Sequence, residues 1–120
     1  MNFIFDNERP IYIQLVEQFK IYIVSGKINL GDRLPSVRDM ALSLKVNPNT
    51  LQRALLELES EGFIYTERTN GKYVTDNKKF IDNKKREYAK DKVMKYFDDM
   101  KELGFDKDET LSYIKEMGDK

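Results

Sequence analysis

The chain has 120 residues, 40% of them hydrophobic and 35% charged, with 21 basic and 21 acidic side chains that cancel. That apolar share supports one modest core under a charged surface. It has neither cysteine nor histidine, which removes disulfides, thiol chemistry, most transition-metal sites and the usual general bases, so no enzyme, metal or cofactor is expected.

The opening MNFIFDNERP lacks the basic end and long apolar stretch of a signal peptide. No apolar run approaches the roughly 20 residues that span a bilayer. A cytoplasmic protein without membrane contact is the expectation. The first helix is expected from Ile11 to Val24, where Ile11, Leu15, Phe19, Tyr22 and Ile23 fall on one face. Pro10 suits its first turn and Gly26 its end. Lys27–Leu34 reads as a loop or short strand turning at Gly31-Asp32. Pro35-Ser36 opens a short second helix, capped by Ser36 with Asp39 three residues on, burying Val37, Met40, Ala41 and Leu44.

After the break at Val46, Asn47 is a natural N-cap and Pro48 fits the first helical position. A third helix runs through Leu51, Ala54, Leu55 and Leu58 and stops at Gly62. Two short helices across a tight turn, the second opening on polar side chains, make a helix-turn-helix. The period then changes: Phe63–Thr66 and Tyr73–Thr75 are β-prone around an Asn70-Gly71 hairpin signal, which is a wing. From Asn77 a helical stripe of Ile81, Tyr88, Val93, Tyr96, Phe97, Met100 and Leu103 leads to Gly104. Asp106 with Glu109 then resembles a capping box for a last helix bearing Leu111, Ile114 and Met117. The fold class is mainly α with a β-hairpin wing: a winged helix-turn-helix over residues 1–76 and a C-terminal helical pair over 77–120.

Although the chain is neutral, Arg33–Arg53 carries four basic side chains against one acid, net +3. Affinity for DNA follows the charge that faces the phosphates, not the total. Asn47 reads as a cap whose helix start can still present amides to a phosphate. Arg38 is either a surface ion pair or a DNA contact beside the groove-entering helix. Asn49 and Thr50 suit base readout and phosphate equally, and Gln52 suits adenine or plain solvent. Arg53 either binds phosphate or braces its helix. Arg68 and Lys72 flank the wing tip as phosphate contacts or as ordinary hairpin charges.

These segments resemble the GntR family of bacterial regulators over most of residues 9–75. The resemblance rests on Pro10-Ile11-Tyr12-Ile13-Gln14-Leu15, on Gly31-Asp32-Arg33-Leu34-Pro35-Ser36-Val37-Arg38-Asp39, on Val46-Asn47-Pro48-Asn49-Thr50-Leu51-Gln52-Arg53-Ala54, on Leu58-Glu59-Ser60-Glu61-Gly62 and on Gly71. The short tail is similar to that of the YtrA-type subfamily, which carries two helices in place of an effector domain. The resemblance implies double-stranded DNA as partner. It places Arg38 as a contact from the second helix, Asn47, Pro48, Asn49, Thr50 and Gln52 on the third, and Gly71 at the wing tip. The wing Arg68-Thr69-Asn70-Gly71 departs from the commoner Arg-Gly-x-Gly form.

A helical pair this short buries too little surface to stand alone. Tyr88, Val93, Tyr96, Phe97, Met100, Leu103, Leu111 and Ile114 are therefore expected to serve a homodimer seam or a core, with a ligand pocket as the other use of the aromatic stripe. The expectation is a sequence-specific repressor on a palindromic operator, with the existence and chemistry of a small-molecule effector left open. The alternative is a winged protein-interaction module without DNA binding.

Overall fold

The computed structural model describes residues 1–118; the last two residues of the expected tail, 119–120, lie outside the described residues. The elements run α1 (Ile11–Val24), α2 (Val37–Leu44), α3 (Pro48–Ser60), β1 (Ile64–Glu67), β2 (Gly71–Val74), α4 (Lys78–Glu102) and α5 (Lys107–Gly118). None of these helices is long and apolar enough to cross a membrane. The chain packs as two units that divide between Asp82 and Asn83.

In the first unit α1 packs on α3, and α3 on α2 and β1. The core is Leu15, Val16, Phe19 and Ile23 from α1, Met40, Ala41 and Leu44 from α2, and Leu51, Ala54, Leu55 and Leu58 from α3, closed by Leu34, Phe63, Ile64 and Val74. Each large side chain sealed there contributes about 1.5–3 kcal/mol through burial. Val37, expected on that face, is only half-buried. Pro10 stands at the N-cap of α1, one position before the first turn expected for it. Ser36 caps α2 by accepting the Asp39 N–H at 3.1 Å, and Lys45 ends the helix in the left-handed region, φ 58°.

The hairpin pairs Ile64 with Val74 and Glu67 with Gly71. Of the loop or short strand expected over Lys27–Leu34, only an isolated antiparallel bridge from Arg33 to Tyr73 forms. Leu34 N–H donates to the Lys72 carbonyl and Val74 N–H to that of Asp32, both at 2.8 Å. The Asn-Gly turn is different from the expected two-residue form. Such a turn needs positive φ at both central residues, but only Gly71 has it, at 101°. Arg68, Thr69 and Asn70 form the loop instead, closed by Asn70 N–H on the Glu67 carbonyl.

An N-terminal arm escaped the sequence reading. Residues 2, 4 and 6 lie antiparallel along Tyr22, Gln18 and Gln14 of α1. Gln18 accepts the Ile4 N–H at 2.9 Å and donates to its carbonyl at 2.8 Å. Gln14, only 2% exposed, does the same for Asp6 and adds a bond to the Arg9 carbonyl at 2.8 Å. The Tyr22 hydroxyl closes the ladder on Asn2. Two extended residues advance about as far as four helical ones, so the two periods stay in step. Phe3 drops edge-on against Phe19 and Tyr22, each 4.9 Å between ring centres.

The first turn of α4 belongs to the winged unit. Asn77 caps it through the Phe80 N–H, Phe80 sits edge-on to Phe63 at 5.4 Å, and Ile81 is buried. In the second unit α4 ends in a Schellman motif. Phe105 N–H donates to the Met100 carbonyl and Gly104 N–H to that of Lys101, with Gly104 at φ 93°. Asp106 and Glu109 form a reciprocal capping box at 2.8 and 3.1 Å. Met100 and Thr110 are buried at this joint. Met100, counted in the expected seam, is already buried within its own unit.

Candidate nucleic-acid interface

Helical geometry divides α3 into two faces. Leu51, Ala54, Leu55 and Leu58 are 0% exposed. Asn49, Gln52, Arg53 and Leu56 project from the opposite side and are exposed. Leu56, 58% exposed, is an apolar side chain in the middle of that outward face that the sequence reading left aside. The first turn is built as expected: Asn47 Oδ1 accepts the Asn49 N–H at 2.7 Å, and Pro48 occupies the next position. Thr50 is half-buried.

Around this face the expected cations separate into three groups. Arg38 and Arg68 are exposed, and no ion pair among the described residues includes either. Arg53 stacks on Tyr12, its guanidinium 3.6 Å from the ring centre, which ties α3 to the start of α1 and leaves the edge of the guanidinium plane to donate. Lys72 is committed elsewhere. Its ammonium donates to Thr66 Oγ1 at 3.0 Å and lies 3.4 Å from Glu59 Oε1, and its side chain is only 17% exposed.

Glu59 accepts the Thr66 hydroxyl at 2.7 Å. That bond first, then the charge and hydrogen bond of Lys72, hold its carboxyl below the usual range against the opposing effect of burial. Thr66 and Lys72 are cross-strand partners, so one carboxylate on α3 grips both strands of the wing. Sequence reading missed Glu59 and Thr66. The available signal was an acid on the polar side of the third helix, seven residues after Gln52. Arg33, given no role of its own earlier, lies against Gly71, where an added Cβ would meet its guanidinium at 3.6 Å. A groove of about 250 Å³ between Ser36-Val37 and the wing is lined by Arg33, Thr66, Gly71 and Lys72.

In the second unit Val93, Tyr96, Leu103, Leu111 and Ile114 are exposed, as are Met94, Tyr113 and Met117, while Tyr88 and Phe97 are half-buried. Beside Phe97 a groove of about 690 Å³ runs between Met94, Phe105 and the charged Asp98, Lys101 and Lys107.

A helix-turn-helix with its polar face outward and a hairpin braced against it is the architecture of a winged DNA-binding regulator. The family model "Bacterial regulatory proteins, gntR family" matches residues 11–74, and the chain belongs to that family. It is 38% identical over 111 residues, 92% of each chain, to the uncharacterized HTH-type transcriptional regulator YhcF of Bacillus subtilis. It is 46% identical over 70 residues to the HTH-type transcriptional repressor YtrA of the same organism, covering 58% of this chain and 54% of that one. A GntR family transcriptional regulator from Listeria monocytogenes superposes with a TM-score of 0.85 at 40% identity, over 93% of this chain and 98% of that one. These relatives place the chain among YtrA-type transcriptional regulators and not among enzymes.

Proposed function

We propose that the chain is a sequence-specific transcriptional repressor that binds a palindromic operator as a homodimer in the cytoplasm. In this reading residues 1–76 bind DNA and residues 77–120 pair two copies. The observation that carries it is the outward face of α3, where Asn49, Gln52 and Arg53 stand clear of a core sealed on the other side. The first turn enters the major groove, with Asn49 and Gln52 reaching base edges. Asn47 and Pro48 set the start of the helix, and Thr50 and Arg53 hold the backbone together with the first-turn N–H that the Asn47 cap does not take. Arg38 contacts the duplex from α2, and the Arg68–Gly71 tip meets the flanking phosphates. Val93, Tyr96, Leu103, Leu111 and Ile114 form the seam, bordered by Tyr88 and Phe97. The name of the YtrA relative supports repression. The groove beside Phe97 has room for a small apolar effector.

Selection of bound sequences from random duplexes, followed by fluorescence anisotropy on the winner, tests the reading. A two-fold symmetric site is expected, bound with an affinity that falls steeply with salt. Asn49→Ala and Arg38→Ala are each expected to cost about 1–3 kcal/mol. Absent or salt-independent binding would instead favour a winged protein-interaction module.

A further inference from the structure

The Glu59–Thr66–Lys72 cluster has the odd feature of a cation next to the wing tip that is committed to an acid of α3. Lys72 sits beside Gly71, and Arg68 at the same tip is exposed. Yet its ammonium is folded back, 3.0 Å from Thr66 Oγ1 and 3.4 Å from Glu59 Oε1. The Thr66 hydroxyl in turn donates to the same carboxylate oxygen at 2.7 Å. One oxygen of α3 therefore collects both side chains of a cross-strand pair and fixes how the hairpin leans on the helix. It also places a negative charge where a DNA-binding surface ordinarily gains from a positive one.

We propose that Glu59 is a positioning residue for DNA binding: it pins the wing to α3 and withholds Lys72 from the phosphates, so that the wing meets the duplex at a single pitch. The inference rests on the reading that the α3 face binds DNA. Its consequence is specificity. A phosphate contact carries no sequence information, so a lysine released toward the backbone strengthens binding to every duplex alike. Holding it back keeps the weight on the base-reading face of α3.

A double-mutant cycle on the full chain tests this, using the selected operator and a scrambled duplex across a salt series. Glu59→Gln keeps the shape and an acceptor for Thr66 but removes the charge. It is expected to steepen the slope of log affinity against log salt by about 0.9 for each Lys72 released. Affinity for the scrambled duplex should rise, and the operator-to-scrambled ratio should fall. Lys72→Met alone is expected to leave the slope unchanged, and Glu59→Gln combined with Lys72→Met to return it to the wild-type value. Thr66→Val, which removes the bridging hydroxyl, should move the slope in the same direction as Glu59→Gln. A purely structural role for Glu59 would lower the melting temperature and weaken operator binding without steepening the slope.

The proposal is overturned by an unchanged slope in Glu59→Gln, by a flattened slope in Lys72→Met alone, or by steepening that persists in the double variant. Wild-type binding that ignores salt and the Asn49→Ala change would bring down the DNA-binding reading, and this inference with it.

Discussion

Lys45 holds a left-handed backbone, φ 58°, the single non-glycine residue among those described to do so. It lies in the turn between α2 and α3, where its N–H and that of Val46 both return to the Ala41 carbonyl. The left-handed region costs a residue with a Cβ roughly 1–2 kcal/mol. Glycine removes that strain but loses some of the gain to the flexibility of the unfolded chain. Lys45→Gly is therefore expected to stabilise the fold by about 0.5–1 kcal/mol, read as a higher denaturation midpoint with unchanged slope. A lower midpoint would show that the turn is held by the lysine side chain. Glu59 gives a second residue-scale expectation. Its folded carboxyl lies below the ordinary value of 4.5, because the Thr66 hydroxyl and the Lys72 charge favour the ionised form. The stability it adds is thus complete above about pH 4.5 and is lost as pH falls through the lower folded value. The melting temperatures of wild type and Glu59→Gln should converge from pH 7 to pH 3. A gap that stays constant would mean that the carboxylate contributes no charge-dependent stability.

At the scale of elements, the N-terminal arm is held by side-chain amides and not by a backbone ladder. Gln14→Leu conserves much of the volume but leaves the Asp6 N–H and the Asp6 and Arg9 carbonyls without their partners. Asp6 and Arg9 are exposed residues, so water replaces part of these bonds and the loss is about 0.5–1.5 kcal/mol, the net worth of a hydrogen bond. The variant should lose stability in that range, with hydrogen exchange at Asp6 accelerated before exchange in α1. Unaltered exchange at Asp6 would show that Phe3 alone fastens the arm. This element was invisible to periodicity, because Gln14 and Gln18 read as polar positions on an amphipathic helix and the arm is too short to show a pattern of its own. The helices were legible because their caps are local chemistry: Ser36, Asn47 and Asp106 each bond to an amide two or three residues on. The outward face of α3 was legible for the same reason. The fate of Lys72 was not, since it depends on how the hairpin leans against Glu59, a contact that spans thirteen residues.

At the scale of the whole molecule, the second unit presents more apolar surface than a short helical pair can leave in water. Val93, Tyr96, Leu103, Leu111 and Ile114 are all more than 40% exposed, and scattered single residues would not repeat on one unit in this way. In the proposed homodimer a second copy would supply the missing cover, and two-fold symmetry would give each residue a counterpart of like character. Tails paired in this way would also tether two winged domains, so the second half-site would be bound at a high effective concentration, which typically adds 10²–10⁴ in affinity. Leu111→Asp combined with Ile114→Asp should therefore produce monomers in sedimentation equilibrium. Binding to the full palindrome should drop by about two orders of magnitude or more, while binding to an isolated half-site stays as in wild type. Inserting about 5 base pairs between half-sites should mimic the double variant, because half a turn carries one site to the far side of the duplex. If the double variant stays dimeric, or if the insertion leaves affinity intact, the tail is not what couples the two halves. The exposed face would then require a different partner.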